Sequence, residues 1–131
     1  MTPEEWLLSE TRGWVQRATR DLRVAEICAS ELPAEALFHC QQAAEKLLKA
    51  FLTWNQTEFR KTHELGELAM ACARIGATLA PVLEEAIALS PYAWRFRYPG
   101  APYEPDPEEA ARGLVLATRV RDEICKRLPR L

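Results

Sequence analysis

Along the first thirty residues, uncharged positions recur every third or fourth place, at Leu7, Thr11, Trp14, Ala18, Leu22, Ala25, Ala29 and Leu32. This is the period of one helix face. It predicts a long first helix from Pro3 to Glu31, started near Thr2 with proline in the first turn, and ended by Pro33. A second helix is predicted from Ala34 to Asn55, with Leu37, Cys40, Ala44, Leu47, Leu48 and Phe51 as its apolar stripe. His39, Gln42, Glu45, Lys46 and Lys49 fall on the other side and read as a polar face, with Glu45 four residues ahead of Lys49 in the order that favours an ion pair. Gln41 lies between Leu37, Ala44 and Leu48, so its amide is expected at the core edge in need of partners.

No apolar period continues through Asn55-Gln56-Thr57. Leu65, Leu68, Ala69 and Cys72 mark a third helix ending near Ile75-Gly76, with Gly76 as a left-handed cap. Thr78 is expected to cap a fourth, with Pro81 in its first turn and Leu79, Leu83, Ala86 and Ile87 as its apolar face. Asp106-Pro107-Glu108-Glu109 predicts a restart with Asp106 as N-cap, Pro107 at the first position and Glu109 closing a capping box. Leu114, Ala117, Ile124 and Leu128 then give a core face. No segment alternates with the period of two that strands require, so the expected fold is all-α, an up-and-down bundle of four to five helices.

The length of 131 residues suits one domain, 1–131. A hydrophobic fraction of 48% with 27% charged residues is that of a folded chain rather than a disordered or membrane one. No apolar run approaches the roughly 20 residues of a membrane helix. The opening Met-Thr-Pro-Glu-Glu-Trp is acidic where a secretory signal is basic, and a cytoplasmic location is the expectation. Cys28, Cys40, Cys72 and Cys125 lack the spacing of a zinc site and are expected as reduced, buried, small hydrophobes; no metal and no cofactor is expected. A net charge of −2 gives no global attraction to nucleic acid, so a nucleotide site would have to be a local patch. Trp6, Leu8, Phe38 and Trp54 exceed what one stripe per helix accommodates, and a homodimer is expected.

Pro91 to Pro107 holds five of the nine prolines, two arginines, three tyrosines and a tryptophan, which makes it the one long loop. Within it Arg95 and Arg97 can donate to phosphate, and Trp94, Phe96 and Tyr98 can stack on bases. Alternatively the aromatics plug the bundle while the arginines pair with Asp21 or Glu45. For the aromatics the structural role is preferred; for Arg97 both readings stay open. Lys46 and Lys49 either join Arg95 and Arg97 in one basic patch or form a solvated face. His39 is expected to be partly buried and bonded to a neighbouring helix, and His63 to be a first-turn residue near a helix start. His63-Glu64-Leu65-Gly66-Glu67 lacks the second histidine of a zinc protease motif. There is no Gly-rich phosphate loop, Ser/His/Asp set or acidic metal cluster.

Phe38 to Lys46, the Lys61-Thr62-His63-Glu64-Leu65 run, Tyr92 to Pro99, and Trp14 with Ala18-Thr19-Arg20-Asp21-Leu22 together resemble the HEPN family (higher eukaryotes and prokaryotes nucleotide-binding) over most of the chain. The resemblance implies a helical bundle that works beside a minimal nucleotidyltransferase and binds nucleotide or RNA. Ribonuclease members of that family carry an arginine followed, after four to six residues, by a histidine. Here the positions after Arg95 are Gly100, Ala101 and Pro102, and those after Arg97 are Pro102, Tyr103 and Glu104. Arg97-Tyr98-Pro99 resembles instead the branch with Arg-Tyr-Pro in place of the motif, which implies binding or complex formation rather than catalysis. From the residues themselves, the candidate nucleotide- or partner-binding set is Arg95, Arg97, Tyr98, Lys46 and Lys49, supported by Asp21, His39, Gln41 and Glu45, with none assigned to catalysis. The pair so implied is toxin-antitoxin-like or a nucleotidyl-transfer pair, and a metal-independent endoribonuclease toxin and a structural adaptor with no nucleotide affinity are the alternatives.

Overall fold

The computed structural model describes residues 1–131 and is a helical bundle without strands. Its helices are α1 (Pro3–Cys28), α2 (Pro33–Trp54), α3 (Leu65–Ile75), α4 (Ala80–Ile87) and α5 (Pro107–Cys125), with single 3-10 turns at Ala77–Leu79 and Ser90–Ala93. Thr2 starts α1 as predicted: its Oγ1 accepts from Glu5 N at 3.1 Å, and Glu5 Oε2 accepts from Thr2 N at 2.8 Å. The helix stops at Cys28 rather than Glu31. Leu32 precedes proline and is steered out of the helical region (φ −132°, ψ 67°), so the chain reverses over the residues before it and Pro33 becomes the first residue of α2.

Three other ends differ from the pattern-based expectation. Gly76 is not left-handed; at φ −132° it leaves α3 in extended conformation while its N–H donates to Cys72 O. Thr78 does not cap α4, because the 3-10 turn runs directly into the helix through Leu79 in helical geometry, and Thr78 Oγ1 accepts from Arg127 Nη2 at 3.0 Å instead. Asp106 caps α5 by accepting from Glu109 N at 2.8 Å, but Glu109 does not return the bond, because its carboxylate is engaged by two tyrosines.

α1 and α2 run antiparallel, since Asp21 meets His39 and Lys46 while the earlier Trp14 meets the later Lys49. The core is one cluster of 25 buried residues centred on α2. The predicted stripe from Leu37 to Phe51 lies within it, and so do Ala36, Ala43 and Leu52 from other sides of the same helix. α2 is therefore enclosed by α1, α3 and α5, and its expected polar face shrinks to a narrow strip. Glu45 and Lys49, assigned to a solvated side, are buried, and Gln41, placed at the core edge, is wholly inside with Nε2 lacking a partner. The cysteines are all free, yet only Cys40 and Cys72 are buried, their thiols pushed up to about 12 by desolvation; Cys28 is half-buried and Cys125 exposed.

α5 packs against α2 at Gly113, where a Cβ would lie 2.6 Å from Leu37 Cδ2 and 3.8 Å from both Cys40 Sγ and Leu89 Cδ2. Leu37 is fully enclosed and has little room to turn aside. Gly113→Ala is expected to lower stability in chemical denaturation, overpacking of about 1–3 kcal/mol outweighing a helix-propensity gain of about 1 kcal/mol. Equal or greater stability would show that the Leu37 side chain rotates freely.

Candidate functional site

The long proline-rich segment is not a featureless loop. A 3-10 turn at Ser90–Ala93 presents Tyr92 toward the start of α5, where its hydroxyl donates to Glu109 Oε2 at 2.7 Å and that of Tyr103 donates to the same oxygen at 2.8 Å. Burial first, and then the Glu109 carboxylate, push the Tyr92 phenol far above its ordinary range, so the hydroxyl stays protonated and remains a donor. Tyr92 stacks on Phe96 (6.1 Å between centroids), and Phe96 meets Tyr103 edge-on at 5.2 Å. Arg95 closes this clamp, its Nη1 donating to Tyr103 Oη at 3.3 Å and its guanidinium lying 5.8 Å from the Tyr92 ring.

One turn of chain later Arg97 faces α2. Its guanidinium sits 5.2 Å from the Phe38 ring and 5.9 Å from that of Tyr98, and neither it nor Arg95 makes an ion pair. The expected alternative, pairing of these arginines with Asp21 or Glu45, is thus corrected: both carboxylates already hold other cations. Trp94 and Tyr98 do not plug the bundle, being 62% and 67% exposed, and only Phe96 of the three packs on the core. Arg97, Phe96 and Tyr92 face Ala34, Glu35, Phe38 and His39 across a cleft of about 280 Å³.

His39 enters this cleft from α2. Its Nδ1 lies 2.8 Å from Asp21 Oδ1 on α1, and Lys46 Nζ donates to Asp21 Oδ2. A carboxylate can only accept, so this bond places the imidazole proton on Nδ1 and leaves Nε2 without a protein partner. The polar strip thus ends in an imidazole held from behind, beside an unpaired guanidinium and three aromatic rings. Such a set can hold a phosphate and a base, and its imidazole can carry a proton. The sequence offered no imidazole at the spacing that follows either loop arginine; the structure supplies one from a helix more than fifty residues earlier. The signal available in sequence was the i, i+7 pair His39 and Lys46, which places both on the same side of α2 opposite an aspartate of α1.

A second cluster lies farther along α2. Lys49 Nζ donates to Glu45 Oε2 at 3.1 Å, His63 Nδ1 lies 3.0 Å from Glu45 Oε1, and the ammonium is covered by Trp14 and Phe59 at 5.4 and 5.9 Å from their ring centres. His63 precedes α3 rather than lying in its first turn. The four-cation patch is therefore not formed: Lys49 is enclosed in its own box, Lys46 is bound to Asp21, Arg95 belongs to the tyrosine clamp, and only Arg97 is free in the cleft. Gln41 Oε1 accepts from Gln42 Nε2 at 2.7 Å and takes no part in the cleft lining. Larger recesses exist, the widest of about 850 Å³ between α4 and α5, but Arg119 and Lys126 there are already paired with Glu85 and Glu123.

The chain matches the family model for the HEPN domain over residues 11–128 and belongs to that family. No curated protein and no solved structure matches it significantly. No group of three or more histidine, cysteine or acidic side chains is placed to hold a metal ion, and no helix is long and apolar enough to cross a membrane.

Glu45→Ala is expected to destabilise the fold by about 3–5 kcal/mol, because it leaves the Lys49 ammonium buried without its carboxylate. Glu109→Gln should act differently, keeping the fold but loosening the segment that carries Arg97, read as faster backbone amide exchange over residues 92–103 with a melting temperature close to wild type. Unchanged exchange would show that the tyrosine clamp does not hold the segment.

Proposed function

We propose that this HEPN protein binds a nucleotide or RNA phosphate through Arg97, without catalysing its turnover, within a pair formed with a minimal nucleotidyltransferase. The observation that carries this reading is Arg97 itself, a guanidinium in a cleft, stacked on aromatic rings and paired with no carboxylate. A cation held this way keeps its donors available for a phosphate, which takes two of them at once. His39 Nε2 adds a further donor when protonated, and Phe38, Tyr92 and Phe96 provide the apolar walls. Membership of the HEPN family supports nucleotide or RNA as the ligand class. The nucleotidyltransferase partner rests on the family resemblance alone. Of the four residues behind the homodimer expectation only Trp6 is exposed, Leu8, Phe38 and Trp54 being half-buried; support for a homodimer comes instead from Trp6 together with the exposed Ile27 and Leu32.

Arg97→Ala should weaken binding of AMP or of single-stranded RNA by about ten- to a hundredfold, the equivalent of one charge-assisted hydrogen bond of about 1.5–3 kcal/mol, with an unchanged melting curve. Equal affinity in the variant would remove this reading. A second reading, metal-independent RNA cleavage, is favoured by one observation: His39 lines the same cleft as Arg97. Incubation of single-stranded RNA with the protein in EDTA decides between them. Intact RNA is expected; cleavage abolished by His39→Ala and Arg97→Ala alike would establish the second.

A further inference from the structure

The first helix carries a charge pattern that the cleft does not use. Arg12, Arg17, Arg20 and Arg23 occur within twelve consecutive residues of α1, all four are exposed, and the only acidic residue in that stretch is Asp21, which is turned inward to His39 and Lys46. The whole chain has 17 basic and 19 acidic residues, so this helix face holds a local excess of positive charge in a protein that is negative overall. Arg23 bonds Glu26, whereas Arg12, Arg17 and Arg20 make no ion pair. At 3.6 residues per turn, Arg12, Gln16, Thr19 and Arg23 share an arc of about 60°, along roughly 16 Å of helix. Arg20 and then Arg17 continue that arc toward the side on which Asp21 meets His39, the residue that lines the cleft.

We infer that the outer face of α1 is a second anion-binding surface, which holds the phosphodiester backbone of a single-stranded RNA whose adjoining nucleotide occupies the Arg97 cleft. This rests on the function proposed above and narrows its ligand from nucleotide to polynucleotide. Three observations favour a polyphosphate backbone over an acidic protein. Every cation of the stripe is arginine, whose planar fork matches phosphate. No large apolar side chain is exposed between Arg12 and Arg23; the exposed Trp6 and Ile27 lie beyond its two ends. A protein interface has an apolar or aromatic centre, whereas a nucleic-acid interface is polar and positive. Arg17 and Arg20 also lie toward the side of α1 on which Asp21 holds His39, a residue of the cleft lining, so the stripe is directed at the cleft.

The test compares wild type with the triple variant Arg12→Ala, Arg17→Ala, Arg20→Ala, and with Arg97→Ala. Alanine is a good helix former and these side chains have no ion-pair partners, so the triple variant should melt with the wild type. Anisotropy titrations use labelled oligoadenylate about twelve nucleotides long, within the site sizes of single-strand binders, and AMP as the single nucleotide, across a salt series. In the triple variant the oligonucleotide affinity should fall and its log–log salt slope flatten by about 2, at about 0.7 per phosphate contact in a single strand. AMP affinity should not change. Arg97→Ala should weaken both ligands. An unchanged oligonucleotide affinity and slope in the triple variant overturns the inference, whether the stripe is idle or serves an acidic protein, and leaves the cleft reading standing. A flattened slope with Arg97→Ala binding as wild type sinks the cleft reading and keeps the stripe. No binding of either ligand to the wild type removes both.

Discussion

Two carboxylates sealed against the flank of α2 dictate much of what surrounds them. Asp21 and Glu45 are almost wholly removed from water, and each is answered by one lysine and one histidine: Lys46 and His39 for the first, Lys49 and His63 for the second. An ionised carboxylate deprived of water is tolerated only where charged or polar partners replace it. The two sets draw on α1, α2 and the connection before α3, so they fix the register of the first two helices and the path of the chain that follows. Such pairing adds little net stability over apolar packing, but it penalises any slip that separates the partners.

The helical pattern was legible because α2 buries a stripe whose spacing is unambiguous, and Thr2 and Asp106 are good N-caps. What was not legible is the degree of enclosure. Glu45 and Lys49 have the spacing of a surface ion pair, and nothing local to α2 reveals that Trp14 from one side and Phe59 from the other close over them. Gly76 and Thr78 misled for a related reason: a short 3-10 connection satisfied the backbone without the left-handed turn or side-chain cap that isolated helices use. Of the candidate site, local composition pointed to Arg95 and Arg97 alike, and only the structure separates them, Arg95 into the tyrosine clamp and Arg97 into the cleft. His39 was singled out only as a supporting polar residue; its place beside Arg97 comes from the packing of α2 against the proline-rich segment, which the i, i+7 spacing with Lys46 does not convey.

The histidines have opposite surroundings despite similar bonds. His39 is backed by a buried aspartate and turned toward a cleft, whereas the His63 side chain is 76% exposed and reaches inward to a carboxylate. The first keeps a nitrogen without a protein partner at the cleft; the second tethers a connection.

The tyrosine clamp on Glu109 has a consequence for how this family member can change. The segment from Tyr92 to Tyr103 is attached to the bundle chiefly at its aromatic clamp, Trp94 and Tyr98 project from it, and few of its side chains enter the core. Under the function proposed above, substitutions at the projecting residues between the clamp points, Phe96 excepted, can therefore alter what the cleft accepts without renegotiating the packing of the helices. The bundle behaves as a stable chassis and the segment as its exchangeable part, so divergence in ligand should accumulate there first while the carboxylate-centred seam between α1 and α2 stays unaltered.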